Sequence, residues 1–98
     1  MGAWMLEETG KQIIDSALRV HRELGPGLLE NAYLGCLDHE LRGRGLHVEQ
    51  QKPLVLEYRG KRMGIAYRLD LLVNGCVVIE LKAVRELTAL HEAQLLSY

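Results

Sequence analysis

Ninety-eight residues allow one domain at most, and 48% apolar with 26% charged residues is the composition of a soluble globular chain that buries a core without cross-links. No apolar run approaches the roughly 20 residues of a membrane span, and Glu7, Glu8 and Lys11 interrupt the N-terminus too early for a signal peptide. A cytoplasmic protein is therefore expected, and its formal net charge of −1 supplies no electrostatic case for a polyanionic partner.

Residues 7–24 place Ile13, Ile14, Ala17, Leu18, His21 and Leu24 on one stripe of an amphipathic helix, with Thr9-Gly10-Lys11-Gln12 as a capping box. Gly25-Pro26-Gly27 stops it, and a second apolar period over 28–44 ends at Gly45, so the first half reads as a helical hairpin. On this second helix Glu30 heads a stripe shared with Tyr33, Leu34, Leu37 and Leu41. An acid there either has a partner or is stabilised by the helix N-terminus.

From Leu46 the pattern becomes strand-like, weakly over 46–52 and better over 54–58, and Arg59-Gly60-Lys61 turns into a long strand ending near Val73. A further strand over 76–83 follows Asn74-Gly75, and a helical period resumes near Glu86 through Leu87, Leu90, His91, Gln94 and Tyr98. The sum is an α/β chain in an α+β arrangement: two helices, a three-stranded antiparallel meander and a last helix. Cys36 and Cys76 lie among apolar neighbours, where reduced cysteine packs as a small hydrophobe, and two cysteines make neither a zinc site nor a disulfide framework. Basic residues are grouped at Arg59, Lys61, Arg62 and Arg68 and at Arg42 and Arg44, which their placement explains as solvated loop and helix-end charge.

Asp70 and Glu80-Leu81-Lys82 straddle the Asn74-Gly75 turn. A two-residue turn would set the two acids on opposite faces, because side chains alternate along a strand. A three-residue loop, Val73-Asn74-Gly75 with Gly75 left-handed, pairs Leu72 with Cys76 and Asp70 with Val78, and gathers Arg68, Asp70, Glu80 and Lys82 on one face. Charges on the opposite, apolar face would each cost several kcal/mol unless paired, so the three-residue register is expected. Asp70 and Glu80 then stand diagonally, about 7–8 Å apart at Cα, and can bend toward one Mg²⁺ or Mn²⁺. The backbone carbonyl of Leu81 would be a third metal ligand, and Lys82 would orient or deprotonate a water or stabilise a phosphate. The same spacing is also what a solvated face gives, with Arg68 paired to Glu80 and Asp70 to Lys82.

Gly27-Leu28-Leu29-Glu30-Asn31-Ala32-Tyr33, with Val20 to Pro26 before it and Tyr67 to Val73 after it, resembles the GxxExxY proteins of the PD-(D/E)XK nuclease superfamily, over nearly the whole chain from Ile13 to Tyr98. The resemblance implies a restriction-endonuclease-like core and a metal-dependent DNA phosphodiesterase with Asp70, Glu80 and Lys82 as metal and catalytic residues. It makes Glu30 an additional acid near the metal, Tyr33 a packing or hydrogen-bonding partner and His21 a neighbour of the site. Gln94-x-x-x-Tyr98 resembles an element of RecB-type exonucleases that organises the site and contacts DNA. Relatives continue past this helix into another strand, so the resemblance implies that 1–98 is a single domain incomplete at its C-terminus. Its sheet edge would then be covered by a second copy or another partner chain. The reading from a different class is a non-catalytic nuclease-like module that binds nucleic acid or protein.

Overall fold

A computed structural model describes residues 3–25 and 27–96, with the backbone alone at 3–5, 65–66 and 91–96. Its elements run α1 (Ala3–Leu24), α2 (Glu30–Gly43), β1 (Val48–Tyr58), β2 (Lys61–Val73), β3 (Val77–Ile79) and α3 (Leu81–Leu96). The strands form one antiparallel meander ordered β1-β2-β3, and the three helices complete an α+β arrangement. None of the described helices is long and apolar enough to cross a membrane.

The apolar stripe of α1 buries Ile13, Ala17 and Val20 against Tyr33, Leu37 and Leu41 of α2, and this pair closes over Leu71, Val73 and Ile79 of the sheet and Leu81 of α3. Leu37, Leu41 and Leu71 are wholly inaccessible, which marks the centre of the core. Helix α1 begins earlier than the sequence suggests, so Thr9 lies inside it and the expected capping box does not form. Thr9 is instead buried, and its hydroxyl accepts a hydrogen bond from the Asn74 side chain (3.4 Å). Gly25, in the left-handed region at φ 78°, ends α1 by donating its N–H to the His21 carbonyl (2.9 Å).

The two arginines at the end of α2 are held within the fold. Arg42 pairs with Asp38 and donates to the Val48 carbonyl (2.6 Å), while Arg44 reaches Gln12 Oε1 (2.9 Å) and Glu40. Asp38 also accepts from Gln50, which ties α2 to the first residues of β1. Strand β1 runs through Pro53, opposite Arg68, at the edge of the sheet, the place within a sheet where proline is tolerated.

Beyond this tie the β1–β2 ribbon leaves the core. Every residue from Gln50 to Gly64 is exposed, and the molecule is drawn out to 50 × 31 × 25 Å. Arg59 (φ 51°) and Gly60 (φ 76°) make a two-residue left-handed turn that pairs Tyr58 with Lys61, matching the right-handed twist of the strands.

At the second turn the sequence expectation needs correcting. The observed pairs are Leu71 with Ile79, Leu72 with Val78 and Val73 with Val77, two residues away from the expected register, with Asn74-Gly75-Cys76 as the loop. Asn74 (φ 52°) and Gly75 (φ 67°) are both left-handed. Asn74 is fixed there because its N–H donates to the His47 carbonyl (2.7 Å) and its side-chain oxygen accepts from His47 N–H (2.9 Å). A slip of two keeps side-chain parity, so the face assignment survives over 69–73 and 77–79 while the partners change, but Glu80 lies past the strand and Lys82 belongs to α3. Cys76 is exposed in this turn rather than packed in a strand, its thiol 3.8 Å from the Val73 carbonyl, and Cys36 is half-buried beside the core; neither is in a disulfide.

The strand expected over 76–83 stops at Ile79, and α3 starts at Leu81 rather than near Glu86. Leu81 and Ala83 alternate as strand residues do, but Leu81, Val84 and Thr88 also follow the helical period. It is the second pattern that is buried, with Leu81 and Thr88 inaccessible and Val84 packed on the core.

Candidate active site

The junction from β3 to α3 carries three of the expected residues. Asp70 and Glu80 stand just beyond the last β2–β3 pair, Leu71 with Ile79. Asp70 is half-buried, and its Oδ2 accepts the N–H of Leu81 at 2.9 Å. That bond satisfies one of the orphan donors at the start of α3, so Asp70 caps a helix eleven residues away in sequence. Leu81 therefore offers Asp70 its amide, and its carbonyl, expected to face a metal, belongs to the first turn of α3. Glu80 is exposed, and its backbone carbonyl accepts from Val84 N–H (3.1 Å).

Lys82 is exposed in the first turn of α3, a turn that contains no acid. A cation beside the positive end of a helix is disfavoured by a few tenths of a kcal/mol, so local stability does not account for it. Lys82 and Glu30, the first residue of α2, line one depression together with Arg85 and Glu86.

Tyr33, on α2, is wholly buried, with its hydroxyl 3.5 Å from the Ala17 carbonyl. Burial pushes its phenol above the usual value, against the smaller opposing effects of Thr88 and the Arg85 charge. The Arg85 guanidinium stacks over the Tyr33 ring (5.4 Å) and donates to the Leu28 carbonyl at 2.7 Å. Tyr33 and Arg85 thus hold the loop before Glu30 against α3. His21 is half-buried at a neighbouring hollow with Tyr33, Arg85 and Glu86. The side chain of Gln94, and Tyr98 altogether, lie outside the described residues.

Arg85 and Glu86 were not singled out from sequence, because placing the helix start near Glu86 hides the fact that Lys82 and Arg85 are one turn apart on the same helix. A helix beginning at Leu81 would have shown the pair.

The donor set suits a loosely held hard cation. Asp70 and Glu80 offer carboxylate oxygens, one of which is already engaged by Leu81 N–H. No cluster of three or more His, Cys, Asp or Glu side chains that could hold a metal occurs among the described residues. Two carboxylates completed by waters fit Mg²⁺, which dehydrates reluctantly, and do not make a closed resident-metal cage.

A family model, that of the PD-(D/E)XK nuclease superfamily, matches residues 7–98. No curated protein and no solved structure matches the chain.

Proposed function

The chain belongs to the PD-(D/E)XK nuclease superfamily, and from that premise we propose that it is a Mg²⁺- or Mn²⁺-dependent hydrolase of DNA phosphodiester bonds, of the GxxExxY type. The observation that carries the proposal is the bond from Leu81 N–H to the Asp70 carboxylate, which brings Asp70 to the start of α3 between Glu80 and Lys82 in the chain. The α+β arrangement is consistent with the restriction-endonuclease-like fold of that superfamily.

In this reading Asp70 and Glu80 hold the divalent ion, with Glu30 as an additional acid beside it. When bound, such an ion polarises a phosphoryl oxygen and offsets the charge that builds on phosphorus. The Lys82 ammonium, at the positive end of α3, favours the scissile phosphate and stabilises its transition state or, once neutral, takes a proton from the attacking water. Arg85, anchored on Tyr33 and Leu28, keeps α3 and the start of α2 in fixed relation, so that Glu30 and Lys82 face one depression. Gln94 and Tyr98 take the role their motif has in RecB-type exonucleases, organising the site and contacting DNA.

One observation favours the non-catalytic reading: Asp70 already serves as a helix cap, a structural task sufficient to keep an acid there. A variant of Asp70 alone therefore cannot decide between the two. The test is cleavage of single- and double-stranded DNA in Mn²⁺ by the unaltered protein, Glu80→Gln and Lys82→Ala. A loss of at least about 100-fold in both variants is expected. Equal cleavage by all three would mean contamination, and no cleavage by any would leave the binding module.

A further inference from the structure

The four basic residues that read in sequence as loop charge belong to the projecting ribbon. Arg59 is in its turn, and Lys61, Arg62 and Arg68 are on β2. Residues 50–68 contain five bases and one acid, a net charge of +4 in a chain whose total is −1, so everything outside the ribbon carries −5. The segregation is sharper still in how the charges are used. Arg42 and Arg44 are spent on Asp38, Glu40, Gln12 and the Val48 carbonyl, and Lys52 on Glu49, whereas no ion pair joins Arg59, Lys61, Arg62 or Arg68 to an acid among the described residues. The Arg59 guanidinium lies over the Tyr58 ring (5.6 Å).

A two-stranded ribbon with no buried residue between Gln50 and Gly64 is marginal by itself in water, and its exposed apolar surface is large: Leu54 is 51%, Tyr67 54% and Tyr58 59% accessible. Such a ribbon calls for an occupant, and its charge selects a polyanion. Two strands about 4.8 Å apart fit the roughly 12 Å major groove of B-form DNA, while the deep, narrow groove of duplex RNA excludes them. Position agrees with charge, because Arg68 and Asp70 share one face of β2, two residues apart, so the arm's last base stands beside the candidate site.

We propose that residues 50–68 form a DNA-binding arm, a β-ribbon seated in the major groove of a duplex with Arg59, Lys61, Arg62 and Arg68 on its phosphates. The arm deepens the nuclease reading by naming how duplex substrate is gripped, and its binding is separable from cleavage. Glu57, opposite Arg62, is the one acid on the arm and marks where phosphate contact is weakest.

The test is anisotropy of a labelled 20-base-pair DNA with the full chain in EDTA, titrated from 50 to 200 mM salt, so that no cleavage enters the measurement. The arm predicts that Arg59→Gln/Lys61→Gln/Arg62→Gln weakens binding at least about tenfold and lowers the slope of log Kd against log salt by about three. Arg59→Lys/Arg62→Lys keeps the slope, and Lys11→Gln/Arg19→Gln on α1 changes binding less than twofold. Duplex RNA of the same length binds more weakly than DNA. The proposal is overturned by absence of binding at 50 mM salt, by a triple variant within twofold of the unaltered protein, or by equal affinity for the two duplexes. It is equally overturned by a dimer in sedimentation that Leu54→Ser/Tyr67→Ser dissolves while the basic triple variant leaves DNA affinity intact, since the ribbon would then be a protein interface. Loss of cleavage with binding retained would remove the nuclease reading and leave the arm standing.

Discussion

The base of this molecule and its ribbon are held by different forces. In the base, Leu37, Leu41 and Leu71 are sealed between α1, α2 and the sheet, and even the charged ends of α2 are tied to neighbours. In the ribbon, strand pairing and a left-handed turn at Arg59-Gly60 maintain two long strands in which every residue from Gln50 to Gly64 is exposed. The contrast teaches that burial here fixes the fold only as far as β2 near Leu71. Asp70 and Arg68 stand where burial gives way to exposed surface, and the candidate site lies on that border.

The largest expected effect tests the border directly. Leu71→Ala empties part of a sealed core and should cost about 2–5 kcal/mol in urea unfolding, while Leu54→Ala, on the ribbon, should cost under about 1 kcal/mol. Comparable losses would mean that the ribbon is packed in solution and would erase the distinction.

A smaller effect separates structural from chemical residues at the junction. Asp70→Ala removes the acceptor for Leu81 N–H and should lower stability by about 1 kcal/mol, within the range of lost helix caps. Lys82→Ala removes an unfavourable charge from the first turn of α3 and should leave stability unchanged or raise it by about 0.3 kcal/mol. If Lys82→Ala were the more destabilising of the two, Lys82 would be a structural residue and its place in the site would need another explanation.

How far these features were legible in the sequence follows the same border. The apolar periods of α1 and α2 announce themselves, and the alternation along β2 with Asn74-Gly75 after it gives the hairpin and the face on which Asp70 stands. The pairing itself was missed by two residues, because what pins Asn74 is His47, twenty-seven positions away. The start of α3 was missed because Leu81-Lys82-Ala83 fits two periods, and the choice between them is made by burial and by a carboxylate from β2. Loop charge at Arg59, Lys61, Arg62 and Arg68 became the charge of a projecting ribbon for a related reason: a short turn signal does not reveal how far its strands project beyond their core.

The smallest effect is one of pH. Tyr33 has a phenol raised by burial, so the fold favours its neutral form. Its contribution is complete below the unfolded value of about 10 and is lost as pH rises through the higher folded value. The melting temperature should fall above about pH 10, and Tyr33→Phe should flatten that fall at a cost of about 1 kcal/mol at neutral pH. An unchanged alkaline profile in Tyr33→Phe would place the sensitivity elsewhere.

The account turns on whether the junction that caps α3 also accepts a cation. Crystals of the unaltered protein soaked in Mn²⁺ and read by anomalous scattering give the most direct answer. A peak between the carboxylates of Asp70 and Glu80, absent in Glu80→Gln, is the predicted result. A map with no peak there at millimolar Mn²⁺, Asp70 remaining on Leu81 N–H alone, would contradict the catalytic reading.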